Sequence, residues 1–292
     1  MIIDIRCRYV TQDAAKYFDQ LQPTEIHATP ESFIAWLDKQ GVDVALSPTA
    51  ASLGLKLGRW DLAARAIDNA GQAEIQRRFP SRFVGVAAID PGNEMHNGLQ
   101  ELEHCATNLG LRAASIEAGR KPMLAENLAD KRLYDFYQLA QDLDVAVILQ
   151  TSGLKGGISI DHAHPRWVDR VAQDFPALRL ICAHGCVPYF REMALVTRRR
   201  PNVYASPDLY TFLDFNACQW IQPGQLIFGS GYPFAPVERV KNTYLSAPWA
   251  GSHKLDDIMY RNAIRALKLE ADPYFAARLD SAPVYNRRKG HC

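Results

Sequence analysis

The feature that most constrains this chain is an alternation of short apolar runs with amphipathic stretches of helical period. Apolar runs fall at 1–5, 42–48, 83–89, 111–116, 145–150, 178–183, 202–205 and 225–228. Helical patterns lie between them, at 30–40, 60–78, 95–109, 132–143 and 165–175. Nearly continuous apolar runs mark strands buried on both faces, as in parallel sheets covered by helices. Parallel neighbours need a crossover, so eight such units predict an α/β chain closing into a (β/α)8 TIM barrel. A doubly wound sheet would need a point where strand order reverses, usually with a phosphate-binding turn. No G-x-G-x-x-G or P-loop follows any of the runs. An extra amphipathic helix at 254–269 is expected to cover the barrel from outside, and the polar tail from Pro283 to fray. Without repeats or low-complexity linkers, residues 1–292 read as a single domain.

Composition removes several classes of function. A formal net charge of +1 gives no electrostatic case for nucleic acid or an anionic membrane. No run approaches the ~18–20 apolar residues of a membrane span, and no basic-then-apolar leader opens the chain. The expectation is a cytoplasmic protein. Its six cysteines, Cys7, Cys105, Cys182, Cys186, Cys218 and Cys292, read as reduced thiols, because a chain with 48% apolar residues needs no disulfide staples.

A barrel holds its chemistry at the carboxyl ends of its strands. Those positions carry Arg6 and Arg8, Pro48, Asp90, Glu117, Gln150, His184, Asp208 and the Ser230-Gly231 pair. Alternation along the first strand turns Arg6 and Arg8 to the same side. Burying two guanidiniums without counter-charges costs several kcal/mol each, on the order of the penalty for an unpaired ion. Either Asp90, Glu117 and Asp208 neutralise them, or a bound anion does. Arg6, Arg8, Gln150, Glu117 and Asp208 are the expected substrate-binding set, and His184, with Arg6 and Arg8, the expected catalytic set. An ordinary histidine titrates near neutrality, which suits His184 to acid/base work. Other candidates have plainer readings. Asp161-His162-Ala163-His164 offers a His-x-His without a third ligand. Cys7 should face the barrel wall, Cys186 could reach the mouth, and Lys56 and Arg59 read as solvated.

Several segments also carry a resemblance. Ile3-Asp4-Ile5, Arg82-Phe83-Val84-Gly85, Leu180-Ile181-Cys182-Ala183-His184-Gly185, Pro201-Asn202-Val203-Tyr204 and Phe228-Gly229-Ser230 with Tyr232-Pro233-Phe234 resemble the amidohydrolase 2 pattern, in its aminocarboxymuconate-semialdehyde-decarboxylase-like branch. The resemblance implies the same barrel, small carboxylate-bearing substrates such as ring-cleavage products or hydroxylated aromatic acids, and His184 as acid/base. It also implies one divalent metal, held by His-x-His at the first strand, a His at the fifth and an Asp after the eighth. This chain has Arg6, Arg8, Gln150 and Gly231 in those places. Arginine has no lone pair to give and glycine no side chain, so the expectation is a site without metal or other cofactor.

Three readings are open at this point. In the first, a metal-independent hydrolase or decarboxylase-type lyase holds a small anionic carboxylate on the arginines, with His184 moving protons. In the second, the arginines are locked by internal carboxylates, and an inactive barrel serves as a binding or regulatory subunit. In the third, a displaced metal binds through His162, His164 and His184. The resemblance suggests a homodimer or a paralogous partner by analogy alone.

Overall fold

The computed structural model describes residues 1–17, 23–49, 54–57, 60–63, 67–91, 97–118, 125–154, 159–247 and 254–281. The tail from 283, with Cys292, and residue Arg59 lie outside them, as does the side chain of Lys56. The strands are β1 (Ile3–Asp4), β2 (Val44–Leu46), β3 (Gly54–Leu57), β4 (Trp60–Ala63), β5 (Phe83–Val84), β6 (Val86–Ala88), β7 (Ala113–Ile116), β8 (Ala146–Gln150), β9 (Leu180–Ala183) and β10 (Val203–Ser206). One parallel sheet runs β1-β2-β5 and another β6-β7-β8-β9-β10. The two are joined covalently, because β5 and β6 are one extended stretch interrupted at Gly85. The Gly85 N–H leaves the ladder and donates to Gln76 Oε1 at 2.9 Å. A Cβ there would stand 2.7 Å from Leu111 Cδ2, so only glycine fits.

The other seam is closed by the run expected as an eighth strand. It is reduced to an isolated bridge between Leu226 and Ala205. Backbone bonds still carry the closure: Ile227 N–H donates to Ala205 O at 2.9 Å and Ile5 N–H to Phe228 O at 3.3 Å. The pairing is short because Phe228 N–H turns away to Ile258 O, and Asn262 Nδ2 takes Leu226 O and Pro223 O. Both Ile258 and Asn262 belong to the helical run of Lys254–Asp256, a π-helical turn at Asp257–Arg261, and Asn262–Leu267, which lies over this seam as the sequence led one to expect.

The sequence misleads at 60–78. There β3 and β4 pair antiparallel, Gly54 opposite Ala63, and the helix (α3, Asn69–Arg78) begins only where the Asp68 side chain accepts from Gly71 N–H at 2.7 Å. That capping bond fixes the start, whatever apolar spacing precedes it. The other helices include α1 (Gln12–Tyr17), α2 (Pro30–Gln40), α4 (Gly98–Thr107), α5 (Tyr134–Asp142), α6 (Pro165–Asp174), α7 (Phe190–Arg199), α8 (Phe215–Cys218) and α9 (Val237–Ser246), and no described helix is long and apolar enough to cross a membrane.

One buried polar contact ties the two barrel ends of the chain together. His27 is stacked among Phe33, Tyr9 and Tyr232. Its Nδ1 accepts from Val10 N–H at 3.3 Å, which leaves Nε2–H to donate to Tyr232 OH at 2.9 Å. Burial pushes its pKa down from 6.5 to about 4. The unfolded chain therefore binds this proton between those values and the folded chain does not, so stability falls as pH drops from 6.5 towards 4, by up to roughly 3 kcal/mol. His27→Gln is expected to be less stable than wild type at pH 8 but to lose less on acidification. Urea melts of both proteins at pH 8, 6 and 4.5 check this, and parallel losses would refute it.

Candidate active site

The strand ends converge as barrel geometry requires, but the two arginines are held differently. β1 stops at Asp4 because the Asp4 side chain takes the N–H of Arg6 (3.0 Å), an Asx-type contact that bends the chain out of the ladder. The same Oδ1 accepts from Ser230 N–H at 2.9 Å, and Gly231 N–H donates to Arg6 O. Arg6 then points towards β9 and β10. Its Nη1 donates to Asp208 Oδ2 at 3.2 Å and lies 3.3 Å from His184 Nδ1. Arg8 turns instead to the end of β2, where Nε donates to Pro48 O at 2.6 Å, and its guanidinium carbon sits 5.9 Å from the Phe234 ring centre. The side-by-side fork expected from strand alternation is not formed, because the regular strand ends before either arginine.

Asp208 is the hub. It is fully buried, in the left-handed region (φ +46°), at the start of a 3-10 turn, Asp208–Phe212, that follows β10. Its carboxylate meets His184 three times: Oδ2 lies 3.0 Å from Nδ1 and accepts from His184 N–H at 3.2 Å, while Oδ1 is 3.4 Å from Nδ1. Burial raises the Asp208 pKa, but the charges of His184 and Arg6 and the bonds from His184 and the Tyr210 backbone outweigh it, leaving the carboxyl below its usual range. A carboxylate facing Nδ1 requires a proton on that nitrogen, because two lone pairs would repel. Arg6 Nη1, a donor, faces the same nitrogen from 3.3 Å, but the carboxylate is nearer at 3.0 Å and we assign the imidazole proton to Nδ1, towards Asp208. Sequence placed Asp208 among substrate contacts. The structure gives its oxygens to the protein.

His184 itself opens a turn in which three successive residues are left-handed: His184 (φ +70°), Gly185 (φ +59°) and Cys186 (φ +59°). A Cβ on Gly185 would stand 3.1 Å from Pro207 Cα, so the turn is pressed against the loop after β10. Non-glycine residues in this region cost on the order of 1 kcal/mol and persist where surroundings over-determine them. Here Asp208 and Thr151 do so, the latter accepting from Cys186 N–H at 2.9 Å.

Gln150, at the end of β8, is buried and its Nε2 donates to Ser115 Oγ at 3.0 Å. Glu117, the first residue past β7, is buried, as is Asp90. Cys7 and Cys186 are both fully buried, Cys186 beside Cys182 rather than in the mouth. The His-x-His is put to structural use: His162 Nδ1 is 2.6 Å from Ser159 O, and His164 caps α6 by accepting from Arg166 N–H while packing on Tyr189. Among the described residues no three His, Cys, Asp or Glu side chains are grouped to hold a metal ion.

Two site residues escaped the sequence reading. Asp4 is fully buried, with Oδ2 unpartnered, and burial outweighs the hydrogen bonds of Ser230 and Arg6 to raise its pKa to about 6. Tyr210 packs against His184 at 5.1 Å between ring centres. Its only sequence signal is its place two residues past a strand-end aspartate.

Comparisons with known proteins agree with this architecture. The amidohydrolase family model matches residues 23–269. A 2-keto-4-carboxy-3-hexenedioate hydratase of Sphingobium sp. is 27% identical over 237 residues, covering 71% of this chain and 67% of that protein. An uncharacterized TIM-barrel protein from Bordetella bronchiseptica superposes with a TM-score of 0.74 at 24% identity, over 93% of this chain and 99% of that one. A dihydroxybenzoic acid decarboxylase from Polaromonas sp., solved with manganese and 2-nitroresorcinol, superposes with a TM-score of 0.70 at 16% identity, over 93% and 98%.

A buried ion pair with one partner removed leaves an uncompensated charge, at a cost of about 3–5 kcal/mol, whereas apolar replacement of both is far cheaper. Asp208→Asn is therefore expected to lose about 3 kcal/mol in denaturant melts, and the Arg6→Met/Asp208→Leu double variant to regain at least half of it. Additive losses would mean the contact is not the support described.

Proposed function

From the premise that the chain belongs to the amidohydrolase family, with a TIM-barrel fold, we propose that it is a lyase, hydrating or decarboxylating a small carboxylate of the ring-cleavage or hydroxylated aromatic type without a metal. The observation that carries this reading is the Arg6–Asp208–His184 contact at the carboxyl end of the barrel. The metal implied by the family does not fit these residues. The positions that resemble its ligand set are Arg6, Arg8, Gln150 and Gly231. Arg6 Nη1 already places a fixed positive charge against Asp208 and His184. Gly231, at φ +79° where L side chains rarely sit, offers no ligand atom of its own.

The chemistry then rests on the protein's own groups. Asp208 holds the Nδ1–H of His184, so proton transfer falls to Nε2, with Asp208 stabilising the imidazolium that forms. In a hydration, Nε2 takes the proton of an attacking water and then returns it to the neighbouring carbon of the former double bond; in a decarboxylation, the imidazolium delivers its Nε2 proton to the carbon that loses carbon dioxide and regains one from solvent. Both routes build negative charge on the substrate. We assign the substrate carboxylate to Arg8, the second guanidinium at the strand ends, which is fixed through Nε on Pro48 O. The hydratase similarity supports the first route and the decarboxylase fold match is compatible with the second.

The Arg6–Asp208 pair also supports the second reading, an inactive barrel closed by its own salt bridge. One set of measurements separates them. Purified protein is expected to contain far less than one equivalent of metal, and small carboxylates to raise its melting temperature in wild type but not in Arg8→Ala. Turnover of a ring-cleavage carboxylate is expected to fall by at least about 10²-fold in His184→Ala with the fold retained, the usual worth of a general acid/base. Stoichiometric metal, or turnover indifferent to His184, would overturn the proposal.

A further inference from the structure

The phenol of Tyr210 stands at the site without a part in the chemistry above. It belongs to the 3-10 turn that begins at Asp208, so the element that orients His184 also carries it. The ring is half-buried, seated on the cluster of Val187, Phe190, Ala217 and Cys218, and tilted 58° against the His184 imidazole. Behind the phenol, buried Ser152 donates from Oγ to the Tyr210 oxygen at 3.4 Å. A hydroxyl oxygen that accepts from one side is left to donate from the other. Burial raises the phenol's pKa; the Ser152 bond and the charges of Arg6 and Arg8 oppose this, Asp208 adds to it, and the net shift is upward. Tyr210 is therefore a protonated donor at neutral pH, close enough to both arginines for their charges to act on it.

We infer that Tyr210 donates a hydrogen bond to an oxo or hydroxyl oxygen of the substrate, the oxygen on which negative charge gathers, and that the site consequently selects oxo- and hydroxy-carboxylates over plain carboxylates. Preorganised donors aimed at a developing oxyanion are worth more than any other single device in such reactions. In a site where a divalent ion does not fit, the charge must be met by protein donors, and beside Arg6, which is bonded to Asp208, Tyr210 is a neutral donor adjoining His184. A site built to bond a substrate oxygen rejects the analogue lacking it, because its own polar group is left unpaired. The inference rests on the anion site proposed above, and the probes separate the two.

Calorimetric titration with glutarate and 2-oxoglutarate, two dicarboxylates that differ by one oxo group, makes the test on wild type, Tyr210→Phe and Arg8→Ala. Wild type is expected to bind 2-oxoglutarate about tenfold more tightly than glutarate, the worth of one hydrogen bond. Tyr210→Phe is expected to lose that preference while binding glutarate within about twofold of wild type, which also shows that the variant is folded. A preference that survives in Tyr210→Phe, or its absence in wild type while Arg8→Ala still abolishes glutarate binding, overturns the role of Tyr210 and leaves the anion site standing. If neither diacid binds wild type, the anion site itself fails and this inference falls with it.

Discussion

A guanidinium 2% exposed to solvent cannot stay charged in a barrel without a counter-ion, and Arg6 finds it in a carboxylate that is wholly buried. That pair joins the end of the first strand to the turn after β10, across the exit of β9. The same carboxylate takes the imidazole and the backbone N–H of His184. Removing it would unseat three elements at once. The left-handed His184 turn, otherwise costly, is tolerable because Asp208 holds it from one side and Thr151 from the other. Support and chemistry thus share one group, and a fold-breaking substitution there would be easily mistaken for a catalytic one.

How much of this could be read beforehand depends on whether the signal was local. The barrel was legible because its strands are apolar runs at regular spacing, and both the period and the need for crossovers are local facts. His184, Gln150 and Glu117 could be placed at strand ends on the same grounds. The helix expected at 60–78 failed because apolar spacing does not say where a helix starts, whereas one capping aspartate does. The eighth strand shrank to a bridge because its backbone groups are shared with Ile258 and Asn262, residues some thirty positions away. No local pattern carries that competition.

The site was harder to read for a related reason. Alternation placed Arg6 and Arg8 on one face, but alternation holds only while the strand lasts, and the Asp4 side chain ends it by capturing the N–H of Arg6. From there each arginine goes to its own partner, a carboxylate 202 residues on for Arg6 and a carbonyl 40 residues on for Arg8. Asp208 reads from sequence as one more polar residue at a strand end, available to substrate. Only the positive φ of its backbone, set by the turn it starts, aims it back at the barrel.

Asp4 and Asp208 are both wholly buried near Arg6, yet they titrate in opposite senses. Burial raises the Asp4 carboxyl, and the Ser230 hydroxyl and the backbone N–H groups of Ser230 and Arg6 only partly offset it, so the carboxyl titrates near 6. A folded pKa above the ordinary 3.8 means that Asp4 favours the folded state most when protonated and progressively less as pH rises through 6, opposite in sign to His27 over much of the same range. The hydrogen bonds that bend the first strand do not depend on that charge, since a neutral carboxyl oxygen still accepts from Arg6 and Ser230. Asp208, by contrast, is held below the usual carboxylate range by His184 and Arg6 and remains ionised throughout. The two buried carboxylates therefore divide the work: Asp208 is the permanent counter-ion, and Asp4 shapes the backbone whether or not it is charged.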